Sequence, residues 1–134
     1  MEIILKIEEI GIKENNPMAG YAITTDKQVI KLLIDDYQDC CENYGYFMSE
    51  DDIQSFVGSE LLDIGITDTA LNSQKMKSND LKDEPPYVYE GDIMFVNIST
   101  TAGMLQFVAY NEHNGYYGHD AKVISEQLNY EVTL

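Results

Sequence analysis

The chain of 134 residues carries 24 Asp and Glu against 8 Lys and no Arg, a formal charge of −16. Phosphate binding depends on Lys and Arg that displace condensed counterions, so this balance excludes nucleic acid and anionic lipid as direct partners and favours encounter with a basic protein. Apolar residues make up 44 % of the chain and are spread along it, enough for the core of a single domain over 1–134.

In "MEIILKIEEI", Ile3, Leu5 and Ile7 alternate with mostly polar neighbours, the two-residue period of a half-buried strand. The apolar run is too short for a signal peptide and is broken by Lys6, Glu8 and Glu9. No run approaches the ~20 apolar residues of a membrane span. The expected location is the cytoplasm of a host cell, where thiols stay reduced. "GIKENNPMAG" is punctuated as a loop. "YAITTDKQVIKLLID" predicts two strands, Tyr21 to Thr25 and Val29 to Asp35, about a turn at Asp26-Lys27, and the run stops at "DDYQDCCE".

"SEDDIQSFVG" predicts a helix. Ser49 can cap it, Asp52 occupies the capping-box position, and acids fill the first turn. Ile53, Phe56 and Val57 share a face, and Gly58 ends the element. Leu62, Ile64 and Ile66 mark another strand. From 69 to 90 apolar residues thin out, Lys75, Lys77 and Lys82 cluster, and Pro85-Pro86 forbids helix; a long mobile polar loop is expected. Ile93 to Ser99 and Met104 to Tyr110 predict two strands around Thr-Ala-Gly, and Asn114-Gly115 is a turn. Ile124, Leu128, Tyr130, Val132 and Leu134 share one parity and predict a last strand with one wet face. The fold class expected is α+β, a mainly antiparallel twisted sheet with one short helix.

Both cysteines, Cys40 and Cys41, are adjacent and lie among carboxylates. A disulfide between them would strain the ring through their shared peptide bond, and neighbouring acids disfavour a catalytic thiolate. Two readings stay open. Cys40 and Cys41 with the only histidines, His113 and His119, form a four-ligand zinc set, with Asp36, Asp39 or Glu112 able to replace one ligand. The set requires the strand ending at Gln38 to neighbour the one ending at Tyr110. Alternatively the thiols pack and the histidines are unrelated, since free Cys is commonly buried. Walker, GxGxxG, GxSxG and HExxH motifs are absent.

"QDCCE", the stretch ending near "FVGSELLDI", and "FVNISTTAGMLQFVAYNEHNGYYGHDAKV" resemble a small domain family of unknown function found in phages and prophages of low-GC bacteria. The resemblance runs from about Val29 to Val123 and implies a mobile-element context, with no activity to carry over. The acidic profile is similar to anti-CRISPR proteins. It implies a non-catalytic inhibitor of a basic host protein, a CRISPR effector such as Cas9, whose guide and target lie in a positively charged channel; occupying that channel would block DNA loading. Asp51, Asp80, Asp83, Glu84, Glu90 and Asp92 are the acids expected to face that partner. Tyr116 and Tyr117, following the Asn-Gly turn, are expected either to anchor the interface or to pack over the Cys40-Cys41 loop. Two alternatives belong to other classes: a sponge for a nucleotide signal, and a metal-dependent hydrolase built on carboxylates such as Asp35, Asp36 and Asp39.

Overall fold

Period-two alternation of Ile, Leu, Val and Phe governs the architecture. The computed structural model describes residues 1–13, 17–36, 43–67, 71, 92–112 and 119–134. Nine strands among these form two antiparallel sheets. The first contains β1 (Ile4–Ile12), β2 (Met18–Thr25), β3 (Val29–Asp35), β8 (Asp120–Ile124) and β9 (Asn129–Thr133), in the order β1-β2-β3-β8-β9. The second contains β4 (Asn43–Met48), β5 (Leu61–Thr67), β6 (Asp92–Thr100) and β7 (Gly103–Glu112), in the order β4-β7-β6-β5. Ile23, Ile30, Leu32 and Val123 of the first sheet and Val96, Ile98, Leu105 and Phe107 of the second meet in one core. Each such side chain stabilises the fold by about 1.5–3 kcal/mol through burial.

The sheets cross rather than align. β4 runs over the end of the five-stranded sheet, with Tyr46 against Tyr21 of β2 and Tyr44 against His119 just before β8. At the opposite end the sheets are joined: Ile3 bridges Glu60, and Leu61 N–H donates to the Glu2 carbonyl at 2.7 Å. This contact satisfies part of the β1 edge, which would otherwise offer itself to another chain.

The sheet-dominated expectation holds, and the helix does not. Among the described residues Ile53–Phe56 form a single 3-10 turn and no α-helix appears. Ser49 is the reason. It is buried, its N–H donates to the Gln106 carbonyl at 2.8 Å, and its Oγ accepts from Gln106 N–H at 2.9 Å. Ser49 thus prolongs the β4–β7 ladder instead of capping a helix, and Asp52 sits at the turn's start with no side-chain cap bond. Gly58 does close the element, at φ +91°.

Two further strands differ from expectation. "NYGYFM" forms β4, for which no element was expected. The single last strand is a hairpin, β8 and β9, because Ser125 turns the chain: its N–H and Oγ–H both donate to the Leu128 carbonyl, and Leu128 N–H donates back to Oγ. Ile124 is consequently exposed while Val123 is buried. Phe47, Phe95, Val108 and Tyr110 form a second apolar cluster on the outer face of the four-stranded sheet, so its strands are apolar on both faces. The expected loop at 69–90 lies almost wholly outside the described residues.

Candidate functional site

Three connections leave and return at one end of the sandwich, and their described flanks show why. Ile12 pairs with Met18, Met18 with Asp35, and Asn43 with Glu112. Residue 119 resumes the chain beside Asp35. The end is therefore built, among the described residues, from the C-terminal ends of β1, β3, β7 and β9 and the N-terminal ends of β2, β4 and β8.

His119 is its centre and has no exposed surface. Its N–H donates to the Leu134 carbonyl at 3.0 Å and its carbonyl accepts from Leu134 N–H at 2.8 Å, fixing the backbone. The ring stacks on Tyr44 with centroids 4.1 Å apart and planes at 24°. Nδ1 lies 3.1 Å from the Asp35 carbonyl oxygen. A carbonyl only accepts, so Nδ1 carries a proton and donates, and in the neutral ring the lone pair belongs to Nε2.

Asp35, beside it, is buried, and its Oδ2 accepts from Asp120 N–H at 2.8 Å. Burial raises the Asp35 carboxyl above its ordinary range, and the charge of Asp120 adds to that; the Asp120 N–H, His119 and Lys122 pull the other way. Asp36 is exposed and accepts from the Tyr44 hydroxyl at 3.3 Å. Along β4, the Tyr46 hydroxyl donates to Glu9 Oε2, and Tyr46 meets Tyr21 edge-on at 5.8 Å. Burial, then the Glu9 bond and charge, push the Tyr46 hydroxyl well above its ordinary value; Tyr21 is raised by burial and then by Glu9. Asp35, Asp36 and Asp120 thus stand at this end with Tyr44 and His119, while Glu9 lies three residues back along the sheet, bonded to Tyr46 beside Tyr21. Such a set can accept hydrogen bonds from ammonium or guanidinium groups, the charge-assisted kind.

Of the residues expected at a site, His119, Asp35 and Asp36 lie in this one. Cys40, Cys41, His113, Tyr116, Tyr117, Asp39, Asp80, Asp83, Glu84 and Glu90 lie outside the described residues. Asp92 opens β6 opposite Asn111, at this same end, whereas exposed Asp51 follows the far end of β4. Their backbone positions thus fall at opposite ends of the four-stranded sheet. The strand arrangement expected for zinc is also different. β3 pairs with β2 and β8, and β7 with β4 and β6, in separate sheets. The flanks of 37–42 and 113–118 nevertheless come together, because the sheets cross here. Among the described residues no group of three or more His, Cys, Asp or Glu is placed to hold a metal ion.

Sequence reasoning missed Glu9, Tyr44, Tyr46 and Asp120. Glu9 offered a signal: it shares the inward parity of Ile7, and an acid on the apolar face of a strand calls for a partner. Tyr46, brought from 37 residues away, offered none.

Among the described residues, no helix is long and apolar enough to cross a membrane. No curated protein and no solved structure matches the chain. The model of a family described as a domain of unknown function, DUF7448, matches residues 2–123, from the approach to β1 into β8. The chain belongs to that family.

Proposed function

We propose that this domain is a non-catalytic binding module whose acidic end docks on a basic surface of a protein partner, and that the partner is a host immune effector of the Cas9 type whose nucleic-acid channel it occupies. The observation that supports it is the placing of Asp35, Asp36 and Asp120 at one end, with Glu9 and Asp36 both acting on Tyr46, in a chain with formal charge −16. Complementary charge of this kind speeds encounter and fixes orientation. Guide-loaded effector would be incubated with the protein and its binding of target DNA measured over a salt series. DNA loading is expected to fall at low salt and recover as screening shortens the range of the field. Undiminished DNA binding, or turnover of a substrate by the protein, overturns the reading.

The same reading gives the paired thiols a role at this end. Cys40, Cys41 and His113, or two of them with an acid, would hold zinc together with Nε2 of His119, whose Nδ1–H is engaged by the Asp35 carbonyl. Histidine ligands of metals are commonly oriented in this way. Bound zinc would add its binding free energy to that of folding. Elemental analysis of protein purified without chelator is expected to find one zinc per chain; metal-free protein of unchanged stability rejects the zinc.

A further inference from the structure

At the end of the sandwich opposite the acidic site, two β-bulges bracket the Ile3–Glu60 bridge. One falls on β1 between Ile4 and Lys6, the other on β5 between Leu61 and Asp63. The residue extruded at each is a leucine, and both are exposed, Leu5 to 55 % and Leu62 to 59 %. A bulge re-aims a side chain and makes no demand that it be apolar. Core packing does not account for them either, because Ile4 and Leu61 fill the inward positions beside them.

The antiparallel bridge carries the two leucines away from it in opposite directions along the same side, roughly 13 Å apart. Gly58 N–H donates to the Ile4 carbonyl and Ile4 N–H to the Ser59 carbonyl, at 2.7 and 2.9 Å, so β1 and the approach to β5 lie side by side. Alternation places Ile3, Leu5 and Leu62 on the outward side. Acids surround them: Asp26, whose Oδ1 accepts from Ile3 N–H at 2.9 Å, Glu60 opposite Ile3, and exposed Asp63. Lys6 is paired with Glu8 at 2.9 Å.

We propose that this corner is a docking surface for a polypeptide segment with apolar anchors flanked by lysine or arginine. The proposal rests on the reading of the domain as a binder of a basic protein, and adds an apolar contact roughly 13 Å along β1 from Glu9 and roughly 24 Å from Ile12 at the acidic end. A second copy of the chain is the poorer occupant, because each would bring a formal charge of −16 and its own Asp26, Glu60 and Asp63 to the contact.

The probe is a short synthetic peptide of alternating leucine and lysine, titrated into the isotope-labelled full chain, with a serine-lysine peptide as control. Saturable amide shifts are expected at residues 3–6 and 58–63 with the leucine peptide only. They should weaken at least tenfold in Leu5→Asn/Leu62→Asn at unchanged melting temperature. Leu62→Lys, a single exposed change, replaces the double variant if that one melts lower. The shifts should survive Asp36→Lys/Asp120→Lys, which disables the acidic end alone and so separates the two proposals. Absence of binding, shifts confined to Glu9, Asp35, Asp36 and Asp120, or equal affinity in wild type and variant overturns the corner. So does self-association of the wild type that the leucine substitutions abolish, which would assign the surface to a second copy.

Discussion

Replacing His119 by alanine removes the ring on which the acidic end is assembled, while leaving the backbone pairing with Leu134 intact. The loss can be built up from the contacts. The buried Asp35 carbonyl loses its donor at 3.1 Å, about 1–3 kcal/mol for a buried acceptor. The stack on Tyr44 disappears, about 0.5–1.5 kcal/mol. The cavity adds a further increment, for a total of about 3–4 kcal/mol. That is a large share of the roughly 5–15 kcal/mol that holds a domain folded. Two other substitutions resolve the contributions. His119→Asn can place an amide N–H near the position of Nδ1 and retain the bond to Asp35, so it should recover about half of the loss. His119→Gln reaches toward Nε2 and should recover less. The assay is urea denaturation, repeated with a chelator. If zinc is bound, the chelator lowers the midpoint of the wild type and leaves His119→Asn unmoved. An alanine variant within about 0.5 kcal/mol of wild type, the range of an inconsequential surface change, would refute the reasoning, as would an asparagine variant no better than alanine.

Three further outcomes are expected. Gly20 has φ +158°, and a Cβ there would lie 1.8 Å from the Leu32 carbonyl oxygen; Gly20→Ala should cost about 3–5 kcal/mol by prising β2 from β3, whereas Gly11→Ala, with nothing within 4 Å, should be near neutral by the same denaturation assay. The Asp35 carboxyl is raised by burial, so the folded state holds its proton more tightly than the unfolded chain; that stabilisation is complete below the ordinary value of 3.8 and is lost as pH rises through the folded value. Asp35→Asn should flatten this part of the stability–pH curve, and an unchanged slope would count against it. Ser49→Ala should cost about 1–2 kcal/mol because it removes a buried acceptor of Gln106 N–H, while Asp52→Ala should stay within about 0.5 kcal/mol, the reverse of what a capped helix would give.

β2, β3, β6 and β7 were legible as short apolar runs set off by turn residues, although β6 and β7 are apolar on both faces. "SEDDIQSFVG" misled because a capping pattern is local and the bond that decides Ser49, to Gln106, spans 57 residues. "NYGYFM" was illegible as a strand because its one strong cue, aromatic content, is interrupted by Gly45, and its partner β7 lies some sixty residues away. The β8–β9 hairpin was hidden by Ser125, whose hydroxyl makes a turn without Gly, Pro or Asn-Gly. Of the candidate site, His119 stood out as one of two histidines. The convergence around it arises from two sheets crossing, which no periodicity encodes.

The most direct measurement of the central claim is the affinity for a guide-loaded Cas9-type effector of two variants with the same change in charge. Asp36→Lys/Asp120→Lys alters the acidic end; Glu50→Lys/Glu126→Lys alters exposed acids elsewhere. The first is predicted to weaken the complex at least tenfold more than the second at moderate salt, with no product formed by any variant. Equal weakening by both pairs would mean that net charge alone matters, and absence of a complex with the wild type would contradict the proposed function itself.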